Sequence, residues 1–364
     1  MDDVRDYLRL PAKGEPTGTN VRVGMVDTGI DQNHPDLAPA LDLATSVDMS
    51  ESRYGLRDIN SHGSHIAGII AGRGYASDGV YRGIAPDATL VAIKLSDHGG
   101  WLERHLLRAF EHAREAELDI INFSAGLSPR KLKKAPPPWV FGPSPRGDRL
   151  FDEIAERGIL CVAAAGNEGP GNGSINWPAG LESVLAVGGV AAEHGRVNRD
   201  SSRGPYRHDP SGIPDGFVCY DDSCADAPET IITRMKPDVA APGLLIMAPR
   251  SEDFYTPFPH SVAQELREAA RKEAGSFGGR YTSETGTSMA AAVVSGLAAC
   301  LLQYLRESGM VMARHEQGKT LRRILMNAAD REAKYQAEEV GAGVLRWPAI
   351  VRVADELMAR KAGL

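Results

Sequence analysis

The feature that most constrains this chain is an alternation, in which short continuous runs of Val, Ile, Leu and Ala are separated by stretches of helical periodicity. The runs are Val21 to Val26, Leu90 to Leu95, Ile120 to Phe123, Ile159 to Ala163 and Val184 to Val187. A strand apolar on both faces must be covered on both, which a parallel sheet between helical layers achieves. Between the second and third runs, Leu102, Leu106, Ala109, Phe110 and Ala113 recur at spacings of three and four, with Glu103, Arg104, Arg108 and Glu111 opposite. A second helix is expected over Asp148 to Glu156, closing at Gly158. The pattern predicts an α/β fold, doubly wound, with a mainly parallel sheet and helices on both faces. Its chemistry then belongs on loops at the carboxyl ends of the strands.

Composition narrows the function classes. With 364 residues, 42% of them hydrophobic, the chain can bury a large core, and its formal charge of -7 is spread along its length. Only Lys131 to Lys134 is locally basic and no aromatics interleave with it, so nothing indicates a nucleic-acid partner. The longest apolar run, Ala290 to Leu302, falls short of the ~20 residues a membrane-spanning helix needs, so no membrane partner is expected. Met1 to Leu10 carries Asp2, Asp3 and Asp6 where a signal peptide has a basic start and an apolar stretch. The expected location is cytoplasmic if Met1 is the native start, and secreted with leader and propeptide removed otherwise. Cys161 and Cys300 sit in apolar runs and read as buried thiols. Cys219 and Cys224 lie in an Asp-rich stretch that suits either a small disulfide loop or two free thiols.

Three stretches interrupt the alternation, near 128–147, 206–235 and 244–281, and read as insertions into one domain spanning 21–355. Residues 1–20 form a short N-terminal extension and 356–364 a C-terminal tail. The third insertion includes a helical pattern at Ser261 to Ala274.

Three motifs carry chemistry. Val23 to Gly29 ends an apolar run with Asp27-Thr-Gly, a seat for a partly buried carboxylate, although alone it is an ordinary turn signal. Asn60 to Gly68 places His62 at the start of a helix of small residues. His65 does not pair with it as a zinc site, because that motif needs i, i+4 spacing and an intervening Glu. His65 reads as a core histidine and His34 as a loop histidine. Thr285 to Gly296 sets Ser288 at the mouth of an almost wholly apolar helix, whose N-terminus favours developing negative charge. A hydroxyl, a histidine to take its proton and a carboxylate to orient that histidine are the parts of a nucleophilic acyl-transfer site.

In the order Asp27-Thr-Gly-Ile-Asp, His62-Gly-Ser-His-Ile-Ala-Gly and Gly286-Thr-Ser288-Met-Ala, these motifs resemble the three signature blocks of the subtilase family. Further blocks agree: Gly83 to Pro86, Ile121 to Ser124, Ala164 to Gly169, Ser201 to Pro205, Lys236 to Gly243 and Val340 to Gly343. The order Asp, His, Ser also differs from that of α/β-hydrolases. The resemblance covers about residues 20 to 355 and implies a serine endopeptidase with a triad of Asp27, His62 and Ser288. It implies that Asn167 and the Ser288 backbone N–H hold the oxyanion. It also implies that Ser124, Ala125 and Gly126 pair with the substrate, while Ala164, Ala165 and Gly166 form the other wall of the primary pocket. Small residues there suggest bulky apolar or aromatic side chains before the cleaved bond, with Glu168 tolerating Lys or Arg. Peptides or proteins are the implied substrates, and no cofactor is needed for the chemistry. Ala292 replaces a usual proline, and Ser64 and Ile66 are conservative exchanges; none removes a reacting atom.

Family position also suggests a structural Ca²⁺ held by Asp36 and Asp78, although Ca²⁺ takes about six to eight oxygens and the sequence nominates only these two. Activity is expected to rise with pH through the ordinary histidine range, about 6 to 7.

Overall fold

A computed structural model describes residues 1–11, 14–98, 101, 103–128, 145–208, 232–253 and 279–361. Among them the strands are β1 (Arg22–Asp27), β2 (Val47–Asp48), β3 (Thr89–Lys94), β4 (Ile120–Phe123), β5 (Leu160–Ala164), β6 (Val184–Val190), β7 (Tyr206–His208), β8 (Ile232–Arg234), β9 (Val239–Pro242), β10 (Ile246–Pro249) and β11 (Tyr281–Glu284). The helices are α1 (Asp2–Leu8), α2 (His62–Ala71), α3 (Glu103–Glu115), α4 (Pro145–Glu156), α5 (Thr287–Glu307), α6 (Gln317–Ala328), α7 (Ala337–Val340) and α8 (Trp347–Lys361).

Seven strands form one sheet in the order β2-β3-β1-β4-β5-β6-β9, and every pairing in it is parallel. The two antiparallel pairs, β10 with β11 and β7 with β8, frame the second and third insertions. The expected sheet is thus present, its interior strands buried along most of their length because both faces are covered. One face carries α2, α5, α6 and α8 in a single apolar cluster, and Met1 together with Val4 and Leu8 of α1 belongs to it. The N-terminal residues thereby form part of the core. On the other face Phe110 of α3 and Phe151 of α4 meet edge to face, 4.5 Å between ring centres, with Phe123 of β4 and Trp177 close by.

Helix α5 is as long and apolar as a membrane-crossing segment, yet 94% of that stretch is buried inside the fold. Cys161 and Cys300 are buried free thiols, held protonated by burial. Cys219, Cys224, the 261–274 pattern and most of each insertion lie outside the described residues.

Small residues set how closely α2 approaches the sheet. A Cβ on Gly63 would stand 2.2 Å from the Gly29 carbonyl oxygen, and one on Gly68 would stand 2.0 Å from Cδ of Pro249. Both positions are closed to larger residues by neighbouring backbone or a proline ring. Gly68→Ala is therefore expected to lower stability by about 1–3 kcal/mol through overpacking. A thermal melt unchanged from wild type would contradict this close approach.

Candidate active site

Asp27 is the last residue of β1 and lies beside Lys94 at the end of β3. It is 6% exposed, and its Oδ1 accepts hydrogen bonds from the Thr28 N–H at 2.7 Å and from His62 Nδ1 at 2.8 Å. That bond fixes the imidazole tautomer with Nδ1 protonated and Nε2 facing outward. Burial acts to lower the His62 pKa, but the Asp27 charge and hydrogen bond, helped by Glu284 and Asp58, outweigh it and raise the value to about 9. That lies above the ordinary range of 6 to 7, because a buried carboxylate at contact distance stabilises the imidazolium more than desolvation destabilises it.

The position of His62 depends on a residue the sequence reading missed. Asp58 is fully buried; its Oδ1 accepts from the Thr28 hydroxyl and the Asn60 and Ser61 N–H groups, and its Oδ2 from the N–H and hydroxyl of Ser64. Asp58 thus takes the Ser64 N–H of the first turn and the two N–H groups before α2, while Thr28 Oγ, bonded to Asp58, takes the Gly63 N–H, so the helix start is tied to the loop after Asp27. Ser61, immediately before His62, is held at φ +79°, an unfavourable region for a residue with a side chain. Its N–H bond to Asp58 and its Oγ bond from the Ser251 N–H hold it there. An acidic residue shortly before a helix start was the available signal.

Ser288 lies in the first turn of α5 and is 8% exposed. Its Oγ donates to the Ser124 carbonyl at 3.1 Å, while Ser124 Oγ donates to the Ser288 carbonyl at 3.0 Å. Asn122 on β4 donates to Ser124 Oγ and accepts from Ser295 one helical face deeper, so strand and helix are laced together here.

Asn167 follows β5, exposed at the cleft. Its Oδ1 accepts from the Thr287 N–H at 3.0 Å and the Thr287 hydroxyl at 3.1 Å. Its amide nitrogen lies 3.3 Å from where a Cβ on Gly286 would stand. Thr287 Oγ1 also accepts from the Gly166 N–H, a second contact invisible in the motif. Glu168 accepts from the Asn167 N–H through its own Oε2.

The nominated residues Asp27, Ser124 to Gly126 and Ala164 to Glu168 therefore sit at the carboxyl ends of β1, β4 and β5, which are adjacent in the sheet. His62 and Ser288 join them through the bonds to Asp27 and Ser124. Two other histidines are structural. His65 is buried, with Nε2 2.9 Å from the Ile246 carbonyl and 3.1 Å from that of Thr282, and burial lowers its pKa. His34 lies in a loop, as read, but is 1% exposed there, bonded to the Arg280 carbonyl and edge-on to Tyr281.

The calcium expectation is not supported at the residues nominated. Asp36 is fully buried and both its oxygens are taken, by the Ala76 N–H at 2.9 Å and the Tyr281 hydroxyl at 2.8 Å. Asp78 lies exposed on a turn at φ +50°. Both Asp36 oxygens are thus tied into the fold, and among the described residues no three His, Cys, Asp or Glu side chains gather as a metal site.

These observations define a class: a doubly wound α/β protein presenting an Asp–His pair and a helix-terminal serine on one edge of its sheet. The model of the subtilase family matches residues 18–343, and the chain belongs to that family. It is 30% identical over 303 residues to the serine protease AprX of Bacillus subtilis, covering 79% of this chain and 58% of that protein. It is 35% identical over 191 residues to subtilisin E of the same organism, covering 51% of this chain and 45% of that protein. The chain thus spans about half the length of these curated relatives. Among solved structures, a psychrophilic protease designated S41 and Sphericase each superpose with a TM-score of 0.64, covering 94% of this chain and 97% of theirs at 22% identity. At that identity the likeness concerns the fold.

Proposed function

We propose that this chain is a serine endopeptidase acting on peptides or proteins through an acyl-enzyme. The observation that carries the reading is the 2.8 Å bond from His62 Nδ1 to buried Asp27, on the same sheet edge as Ser288. Ser288 Oγ leaves the Ser124 carbonyl, passes its proton to His62 Nε2 and attacks the scissile carbonyl carbon. Asp27 keeps Nδ1–H oriented and stabilises the imidazolium. His62 then gives the proton to the departing amine, and water releases the acyl group by the same sequence in reverse.

The oxyanion is held by the Asn167 amide nitrogen and by the Ser288 N–H, which sits in the first turn of α5 where backbone donors have no intrahelical acceptor. Thr287 has a positioning role, since its two bonds to Asn167 Oδ1 turn the amide nitrogen toward the cleft. Extended substrate is expected to pair with Ser124 to Gly126. The names of AprX and subtilisin E agree with this reading. Asn167→Ala should lower kcat by about 10² to 10³ with KM little changed, a scale set by subtilisin itself rather than calculated for this chain. Steady-state kinetics on a peptide p-nitroanilide measures both constants. A wild-type chain that cleaves neither that peptide nor unfolded casein would overturn the proposal.

A further inference from the structure

At the amino ends of β4 and β5, opposite the end that carries Asp27 and Ser124, lies a cleft of about 660 Å³ that the mechanism does not use. Helix α5 joins the two ends of the molecule, with Ser288 in its first turn and Arg306 in its last, about 27 Å along the axis. The cleft is organised around Asp119, the residue before β4, which is 5% exposed. Its Oδ2 accepts from the Arg22 N–H at 2.9 Å, and its Oδ1 accepts from Arg306 at 2.7 Å, Arg314 at 2.7 Å and Gln317 at 3.0 Å. Arg306 also donates to the Asn20 carbonyl at 2.7 Å, and Arg314 to that of Leu118. Both guanidinium groups are therefore fixed, yet their side chains remain 39% and 43% exposed. Arg114, in the last turn of α3, and Arg157, just past α4, line the same cleft. Neither of these two side chains makes an ion pair or hydrogen bond among the described residues. A helix end supplies only about half a negative charge, too little to neutralise a whole guanidinium. Four guanidinium groups thus share the cleft with two carboxylates, Glu117 and Asp119, on a chain whose formal charge is -7. A positive excess concentrated on an otherwise acidic protein attracts anions to that one place.

We propose that this cleft binds an anion of two or three linked phosphates, such as pyrophosphate or tripolyphosphate, and that the bound anion clamps the fold at the end remote from Ser288. Arginine presents a planar fork that meets two phosphate oxygens at once. Because Arg306 and Arg314 are already held by Asp119, binding costs them little further side-chain freedom. A single carboxylate brings too little charge for four guanidinium groups, and one orthophosphate too little span. Among the described residues no Phe, Tyr or Trp lines the cleft, so the phosphates are recognised and no base is stacked. A ligand there touches the end of α3, the loop between α4 and β5, the end of α5 and the turn before α6, and in binding the native state it stabilises it. The site is independent of the endopeptidase reading.

The test measures binding by calorimetry and by melting temperature, at low and at physiological ionic strength, with tripolyphosphate, ATP, AMP and EDTA. Tripolyphosphate should bind, raise the melting temperature saturably and bind more weakly as salt is added. The double variant Arg114→Gln with Arg157→Gln removes two charges and leaves every bond to Asp119 in place. It should weaken tripolyphosphate about tenfold or more, the scale of losing a charge-assisted bond to phosphate. A control pair, Arg323→Gln with Arg360→Gln, removes the same charge from exposed positions on α6 and α8 and should leave the affinity nearly unchanged. ATP should match tripolyphosphate, and AMP should bind far more weakly. Absence of binding at millimolar tripolyphosphate, or equal weakening by the two variant pairs, overturns the site. A thermal shift that EDTA reproduces is chelation and overturns it as well. AMP binding as tightly as tripolyphosphate overturns the need for linked phosphates, and ATP binding tenfold more tightly overturns recognition by phosphates alone. If the Arg114 and Arg157 double variant fails to fold, Arg157→Gln alone, at an exposed position, decides.

Discussion

Replacing Ser288 with alanine should abolish peptide hydrolysis and fluorophosphonate labelling while leaving the fold in place. The expected loss in kcat is about 10⁶, the scale known for subtilisin itself, because the substitution removes the attacking atom. The fold should survive for a local reason. The Ser288 hydroxyl donates a hydrogen bond to the Ser124 carbonyl, whereas the return bond from Ser124 Oγ goes to the Ser288 backbone carbonyl, which alanine retains. Losing one such bond costs about 0.5–1.5 kcal/mol. Initial rates on a peptide p-nitroanilide, set beside a thermal melt, separate the two effects. Residual turnover above roughly one part in a thousand of wild type would mean that another group is the nucleophile.

Asp27→Asn should lower kcat by about 10⁴, the cost known for the same exchange in a related triad, and should also move the pH profile. The free enzyme's His62 must be neutral to accept the serine proton, and its pKa is raised to about 9. Wild-type kcat/KM should therefore climb with pH and level off only above about 9. Without the Asp27 charge, desolvation by burial dominates and the inflection should fall to or below the ordinary imidazole value, near 6.5. Stability moves with the same group. A raised folded-state pKa contributes stability fully below about 6.5, and that contribution is lost as pH rises through about 9. Asp27→Asn should abolish this slope. Profiles of kcat/KM and of melting temperature from pH 5 to 10.5 test both statements, and an inflection that stays near 9 in Asp27→Asn would refute the role given to the carboxylate.

The polar environment of the site explains why its two halves differ in how openly the sequence displays them. The groups proposed to react are placed by local patterns: Asp27 by the end of an aliphatic run, His62 by a helix start among small residues, Ser288 by the mouth of an apolar helix. Each pattern is contiguous, so it can be read from the chain without knowing what lies opposite. The groups that aim them are not contiguous. Asp58 acts through five donors on both the Asp27 loop and α2, and Thr287 acts on Asn167 across 120 residues of chain. Hydrogen bonds of this kind depend on which strand ends become neighbours, and β1, β4 and β5 are adjacent only through sheet order.

The sequence by itself determined the sheet, its two helical coats and the stations of Asp27, His62 and Ser288, because continuous apolar runs and helix-end signals are local properties of the chain; Asn167 was reached only through the family resemblance. Tertiary structure alone decided the charge state and surroundings of those stations. It raised the His62 pKa by setting a buried carboxylate against it, and it engaged Asp36 with the Ala76 N–H and the Tyr281 hydroxyl. It also brought Arg306 and Arg314 to one oxygen of Asp119. In each case the deciding quantity is a distance of a few ångströms between residues far apart in sequence, at which Coulomb forces and desolvation are strong and to which residue spacing along the chain gives no access.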